Sequence, residues 1–230
     1  MEFGGLQKLS CLDYPGLVAC TVFTKGCNLR CPFCHNAPLV DGFAPETIPE
    51  EEILAYLKKR QGILEGITIT GGEPLIHPGL TDFLEKVKAL GYQVKLDTNG
   101  SKPDFLRQLV EKGLIDKVAM DIKNAPSLYG MTIGRPGFDI APIEETKNYL
   151  LSSPVDYEFR TTVVKGLHTR ESLLEAAQWI KGAKAWFLQC YTYRDTVLDP
   201  KGLSSYTAEE LFSIMMAVHV HIPTVALRGI

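Results

Sequence analysis

The sequence predicts a single α/β domain built as a partial (β/α)6 barrel, on three observations. Short β-branched runs alternate with amphipathic stretches along nearly the whole chain, the pattern of βα units around a parallel sheet. No repeat, low-complexity tract or shift of composition divides the 230 residues, so one domain, 1–230, is expected. The distinctive polar residues fall repeatedly just after the strand runs, and in a barrel such strand ends converge on one mouth. Periodicity by itself also admits an open doubly wound sheet; the strand-end residues favour the barrel.

The elements follow in order. Strands are expected at Leu17–Thr24, Gly66–Thr70, Gln93–Asp97, Lys117–Asp121, Tyr157–Val164 and Trp186–Gln189, where β-branched and aromatic residues concentrate. A seventh run, Ile222–Leu227, closes or extends the sheet. Between them Ile48–Arg60, Leu80–Leu90, Asp104–Glu111, Ile143–Leu151, Glu171–Ile180 and Ala208–Val218 carry apolar residues at helical spacing. Pro49 and Thr207 open helices, and Gly62, Gly91, Gly113 and Gly182 close them.

With 27 acidic against 24 basic side chains the net charge is −3, so no positive field favours nucleic acid. The apolar runs fall short of the ~20 residues of a membrane span. Met1-Glu2-Phe3-Gly4-Gly5 has no basic start of a secretion signal. A cytoplasmic protein without nucleic-acid or membrane partners is expected. Six cysteines stand at 11, 20, 27, 31, 34 and 190, three of them within eight residues. In a reducing compartment such a group points to metal binding or catalysis rather than disulfides.

The first strand runs into a loop, 25–36, that holds Cys27-Asn28-Leu29-Arg30-Cys31-Pro32-Phe33-Cys34-His35-Asn36. Soft thiolates at these short spacings can hold three corners of an iron–sulfur cube and leave the fourth iron open for a ligand. A structural zinc site would need His35 as fourth ligand, yet side chains adjacent in sequence diverge. A haem-attachment reading of Cys31-x-x-Cys34-His35 leaves Cys27 unexplained. Cys11, Cys20 and Cys190 have no ligand spacing.

Gly71-Gly72-Glu73-Pro74 follows the second strand: paired glycines allow a ligand close to the backbone, and Glu73 offers an acceptor. A plain tight turn is the alternative. Asp97-Thr98-Asn99-Gly100 ends the third strand and Asp121-Ile122-Lys123 the fourth. Either aspartate can serve merely as a helix cap. Two carboxylates beside a further anion would repel unless a cation or Lys123 intervened. Arg160, inside the Tyr157–Val164 strand, needs an anion if it faces a barrel interior, and is otherwise a surface arginine on a strand edge. His77 and His168 fall in loops, where solvation is the ordinary fate of histidine, and carry no catalytic assignment.

The motif Cys27-x3-Cys31-x2-Cys34 resembles the signature of the radical S-adenosylmethionine superfamily, and the other segments match family marks in order. The resemblance implies a partial TIM-like barrel of the radical SAM type. It implies a 4Fe-4S cluster on Cys27, Cys31 and Cys34, whose open iron chelates S-adenosylmethionine and whose electron cleaves the sulfonium to a 5′-deoxyadenosyl radical. Gly71, Gly72 and Glu73 resemble the segment that holds the cofactor's amino group; Asn99, Lys123 and Arg160 join the cofactor site. Asp97, Thr98 and Asp121 resemble ligands of a monovalent cation, Na+ or K+, in pyruvate formate-lyase activating enzyme.

Asp13-Tyr14-Pro15-Gly16 before the first strand and Cys34-His35-Asn36 at the loop's end are similar to the glycyl-radical-enzyme activases, particularly those of anaerobic ribonucleoside-triphosphate reductase. The stretch from Ala37 to Glu50 contains no Cys, so one cluster is expected, without a ferredoxin-like insert. The implied reaction is hydrogen abstraction from a glycine of a glycyl radical enzyme, with a flavodoxin or ferredoxin-type electron donor. The segment Ala125–Asp139 is long for a βα loop: it either helps admit that glycine or is a mobile surface loop. Two other classes compete. One is a radical enzyme acting on a small molecule such as a deazapurine precursor. The other is a non-enzymatic metal-binding module, which leaves the ordered strand-end motifs unexplained.

Overall fold

The computed structural model describes residues 1–40 and 47–229. Residues 41–46, inside the Cys-free stretch, and residue 230 lie outside the described residues. The strands are β1 (Glu2–Ser10), β2 (Ala19–Thr24), β3 (Ile48–Pro49), β4 (Gly66–Gly71), β5 (Gln93–Thr98), β6 (Lys117–Asp121), β7 (Asp156–Val163), β8 (Trp186–Cys190) and β9 (Val225–Arg228). The helices are α1 (Ala37–Val40), α2 (Glu50–Arg60), α3 (Leu80–Ala89), α4 (Pro103–Glu111), α5 (Tyr129–Thr132), α6 (Ala141–Ser152), α7 (Arg170–Trp179) and α8 (Ala208–Val218).

Among the described residues, nine strands form one sheet in the order β3-β1-β2-β4-β5-β6-β7-β8-β9. Every pair from β2 to β9 is parallel, and α2, α3, α4, α6, α7 and α8 each lie between consecutive parallel strands. These are the six expected βα units, followed by β9. Among the described residues β9 pairs with β8 alone, so the sheet stays open as a partial barrel.

Alternation along the strands sorts the side chains. Val22, Ile69, Leu96, Met120 and Phe159 join a fully buried core with helix residues such as Phe83 and Leu109. Each such side chain contributes about 1.5–3 kcal/mol when taken out of water. The neighbouring positions Thr21, Thr68, Lys95, Asp97, Asp121 and Arg160 point to the other, concave face, which is therefore polar.

The strand β1 is not foreseen in the sequence. It is an antiparallel strand near the sheet's edge that contains Gly4-Gly5 and breaks register twice against β2, so it shows neither a β-branched run nor regular alternation. Its neighbour β3 has only two residues, which shortens the helix expected from Ile48 to one beginning at Glu50. Thr207 opens α8 as expected, in a reciprocal capping box with Glu210. No described helix is long and apolar enough to cross a membrane.

Candidate active site

The carboxyl ends of β2 and β4 to β8 surround a cavity of about 240 Å³. Every residue assigned from the sequence to the cluster, cofactor or cation site lines it: Cys27, Cys31, Cys34, Gly71, Gly72, Glu73, Asp97, Thr98, Asn99, Asp121, Lys123 and Arg160. Six parallel strands ending on one rim bring together side chains separated by more than a hundred residues.

Three cysteines form one corner. The loop that carries them is fastened at both ends, because Glu73 N–H donates to Gly26 O at 2.9 Å and Leu198 N–H to Cys34 O at 3.1 Å. His77 Nε2 lies 2.7 Å from Lys25 O, so this histidine anchors the loop rather than standing in solvent. Burial pushes the Cys31 thiol up to about 12, with Cys34 and Cys27 adding to it and Lys123 opposing. Burial raises the Cys27 and Cys34 thiols as well. Leu29 N–H already donates to Cys27 Sγ at 3.4 Å.

Among the described residues no three Cys, His, Asp or Glu side chains are gathered tightly enough to hold a single metal ion. A four-iron cube spaces its thiolates more widely than one ion does, so three thiols around a common cavity, with an N–H aimed at a sulfur, fit the cluster. His35 is otherwise engaged: its ring stacks on Tyr191 at 5.6 Å and Nε2 lies 2.6 Å from Thr192 O. That contact directs it away from the fourth-ligand role of the zinc alternative.

The glycine pair answers to a different close approach from the one expected. Gly71 has φ +114°, and a Cβ there or at Gly72 would collide with the backbone of Thr24 or Gly26. The neighbour that excludes a side chain is the chain's own cluster loop. Glu73 is 1% exposed. Its Oε1 accepts from Thr98 Oγ1 at 2.7 Å and Leu75 N at 3.1 Å, and its Oε2 from Asn99 N at 2.7 Å. Burial pushes this carboxyl up to about 7 despite those donors.

Opposite the cysteines runs a row of alternating charges: Lys95, Asp97, Arg160, Asp121, Lys123. Arg160 Nη1 donates to Asp97 Oδ2 at 2.9 Å and its Nε to Asp121 Oδ1 at 3.1 Å. Lys123 Nζ lies 2.8 Å from Asp121 Oδ2, and Lys95 pairs with Asp97. Burial alone would raise the aspartates; the Lys123 and Arg160 charges instead hold Asp121 down to about 2, and Arg160 and Lys95 lower Asp97.

Lys123, expected as one remedy for carboxylate repulsion, pairs with Asp121, and Arg160 and Lys95 join it. Thr98 turns its hydroxyl to Glu73, not to the aspartates. Of the set expected around Na+ or K+, Asp97 and Asp121 are paired with protein cations and Thr98 with Glu73. Arg160 meets the anion its interior position required and is no edge arginine, since β7 lies between β6 and β8.

Sequence reasoning missed Lys95, which is 1% exposed, although its place two residues before Asp97 puts both on one face of β5. It also passed over Thr162 and Gln189, which line the same cavity from β7 and β8. His168 is buried: Val164 N–H donates to its Nδ1 at 3.1 Å, and Nε2 lies 2.7 Å from Lys123 O. It supports the Lys123 backbone, and burial lowers its pKa. Asp13 and Tyr14 lie at the opposite, amino end of the strands, where Thr21 Oγ1 donates to Asp13 Oδ2 at 2.7 Å and Tyr14 bonds Gln93.

The family model of the radical SAM superfamily matches residues 21–181. The chain belongs to the radical SAM superfamily. Radical SAM proteins use a 4Fe-4S cluster and S-adenosylmethionine, in agreement with the cysteine corner. A Methanocaldococcus jannaschii protein provisionally described as a glycyl-radical enzyme activating enzyme is 28% identical over 241 aligned positions, 98% of this chain and 95% of its own length. The pyruvate formate-lyase-activating enzyme of Clostridium pasteurianum is 30% identical over 58% of each chain. A 7-carboxy-7-deazaguanine synthase of Koribacter versatilis is 28% identical over 91% of this chain and 89% of its own. Among solved radical SAM structures, Streptococcus suis SuiB bound to its precursor peptide SuiA superposes with a TM-score of 0.73 at 15% identity. It covers 91% of this chain, which spans about half (48%) of SuiB, and the likeness carries the fold alone.

Proposed function

We propose that this radical SAM protein is a glycyl-radical-enzyme activase that takes a hydrogen atom from a backbone glycine of a partner enzyme. The observation that carries this is the alignment with the M. jannaschii protein along nearly the whole of both chains. The activating enzyme of C. pasteurianum and the Asp13-Tyr14-Pro15-Gly16 segment support it. Anaerobic ribonucleoside-triphosphate reductase is the first partner to try and pyruvate formate-lyase the second.

A 4Fe-4S cluster and S-adenosylmethionine held here would supply one-electron reduction of the sulfonium and, from it, hydrogen-atom abstraction. The residues have the work of binding and orientation. Cys27, Cys31 and Cys34 would hold the cluster. Glu73 offers a carboxylate to the cofactor's ammonium, while Lys123 and Arg160 present cations to its carboxylate. Asn99 ties the two sides together, donating from its backbone to Glu73 and from Nδ2 to Asn28 Oδ1 at 2.9 Å. The electron donor proposed is a flavodoxin or ferredoxin-type protein, and the place of action the cytoplasm.

The deazaguanine synthase relative keeps a second reading open, a radical enzyme acting on a small molecule. One experiment separates them. The anaerobically reconstituted, reduced protein is mixed with S-adenosylmethionine and each glycyl radical enzyme of the same cell, and paramagnetic resonance is recorded. A glycyl doublet with one partner is the expected result. No radical with any partner, alongside cofactor turnover on a small metabolite such as a deazapurine precursor, overturns the activase reading.

A further inference from the structure

The segment between β6 and α6 is neither an open gate nor a free surface loop. It is rooted at the end of β6: Tyr129, 1% exposed, accepts from Lys123 N–H at 3.4 Å and donates to Asp121 O at 3.3 Å. Asn124 Nδ2 donates to Thr132 Oγ1 at 2.9 Å and to Leu167 O at 3.0 Å. From that base it reaches the cluster loop. Arg30 N–H donates to Ile133 O at 3.1 Å, and Arg135 Nη1 donates to Asn28 O at 3.0 Å. Gly134 has φ +68°, and a Cβ there would collide with the carbonyl oxygen of Arg30.

The contact with Asn28 matters because of which peptide it holds. Asn28 C=O and Leu29 N–H belong to one planar unit and point in opposite directions. The carbonyl accepts from Arg135, and the N–H donates to Cys27 Sγ at 3.4 Å. Fixing one end of the plane fixes the other. A cationic donor on the carbonyl also polarises the peptide and strengthens its N–H as a donor. Hydrogen bonds to ligand sulfurs set the reduction potential of a cluster and help retain it.

We infer that Arg135 is a positioning residue which, through the Asn28–Leu29 peptide, aims an N–H at Cys27 and so tunes the potential and retention of the cluster. Residues 129–135 serve as the brace that carries it. The inference rests on the reading of Cys27, Cys31 and Cys34 as cluster ligands.

The test compares the full-length parent with Arg135→Ala and Arg135→Lys after anaerobic reconstitution. It follows iron release to a chelator, the cluster's reduction potential by resonance-monitored titration, and the melting temperature without metal. Arg135 is exposed, so R135A is expected to melt as the parent does. Its iron should leave faster, by up to roughly 10–100-fold if the loss of affinity usual for outer-shell variants falls on the release rate, and its potential should move to more negative values. R135K keeps a cationic donor and should return the potential toward the parent's. Gly134→Ala, which displaces the Arg30 carbonyl, should release iron faster too; if it does not fold, R135A still decides. Parent-like release and potential in R135A overturn the inference, whereas a parent that takes up no iron overturns the ligand reading beneath it.

Discussion

The two walls of the cavity solve opposite problems. The cysteine wall gathers three thiols, Cys31 buried and Cys27 and Cys34 half-buried, that burial keeps protonated on a fixed main-chain framework. The charged wall satisfies itself: two carboxylates meet three cations, with Arg160 shared between them. One wall is completed by something brought to it; the other folds complete. Buried ion pairs are costly to open, so the second wall contributes rigidity and a fixed field, while the first contributes the reactive centre.

That contrast can be broken at either side. The largest effect is expected from Cys27→Ala, Cys31→Ala or Cys34→Ala, each of which should abolish the visible cluster absorbance and cofactor cleavage. Cys11→Ser and Cys190→Ser should leave both unchanged, and a requirement for either would relocate the site. Next comes Arg160→Ala, which leaves Asp97 and Asp121 facing one another. Removing one partner of a buried ionic cluster costs about 3–5 kcal/mol, readable as a lower denaturant midpoint. Sodium or potassium should restore part of that loss in the variant and do little for the parent; equal ion responses would show that the row is not self-sufficient.

Glu73 gives a sharper, pH-dependent test. Its folded pKa of about 7 lies above the ordinary 4.5, so the folded state holds the extra proton between those values. Stability of the metal-free protein should therefore fall as pH rises from about 4.5 to about 7, by roughly 3 kcal/mol, and then level off. Glu73→Gln should flatten this dependence in urea titrations at pH 5 and 8, and an unchanged slope would assign it to other groups. Smallest is the effect of Asp97→Asn or Asp121→Asn on S-adenosylmethionine binding. Each substitution removes one charge-assisted contact that holds Arg160 or Lys123 in position, and is expected to lower affinity roughly ten- to a hundredfold, about 1.5–3 kcal/mol, with iron content unchanged. Calorimetric titration of both variants checks it, and parent-like binding in both would make these aspartates purely structural.

Much of this was legible because barrels announce their mouths. Parallel strands covered by helices read as β-branched runs, and the residues at or near their carboxyl ends, from Cys27 to Arg160, share one rim. Besides β1, Thr162 and Gln189, several side-chain roles were not legible. Lys95 stands amid Val94 and Leu96 and makes sense only once Arg160 and Asp97 are seen to share its face. His77 and His168 bond to backbone carbonyls far away in sequence, a relation no local pattern encodes. Arg135 looks like an ordinary loop arginine until the peptide it holds is known.

The docking of Gly71 and Gly72 against Thr24 to Gly26 changes how tolerance to substitution would be interpreted. In a saturation library both positions should reject every side chain, in the metal-free protein as much as in the loaded one, because the obstacle is another stretch of the same chain. Invariance there would thus report a steric pact between two distant segments. Second-site suppressors of a Gly72 variant should accordingly map to residues 24–26, forty-odd positions earlier, and not to any ligand-contacting group.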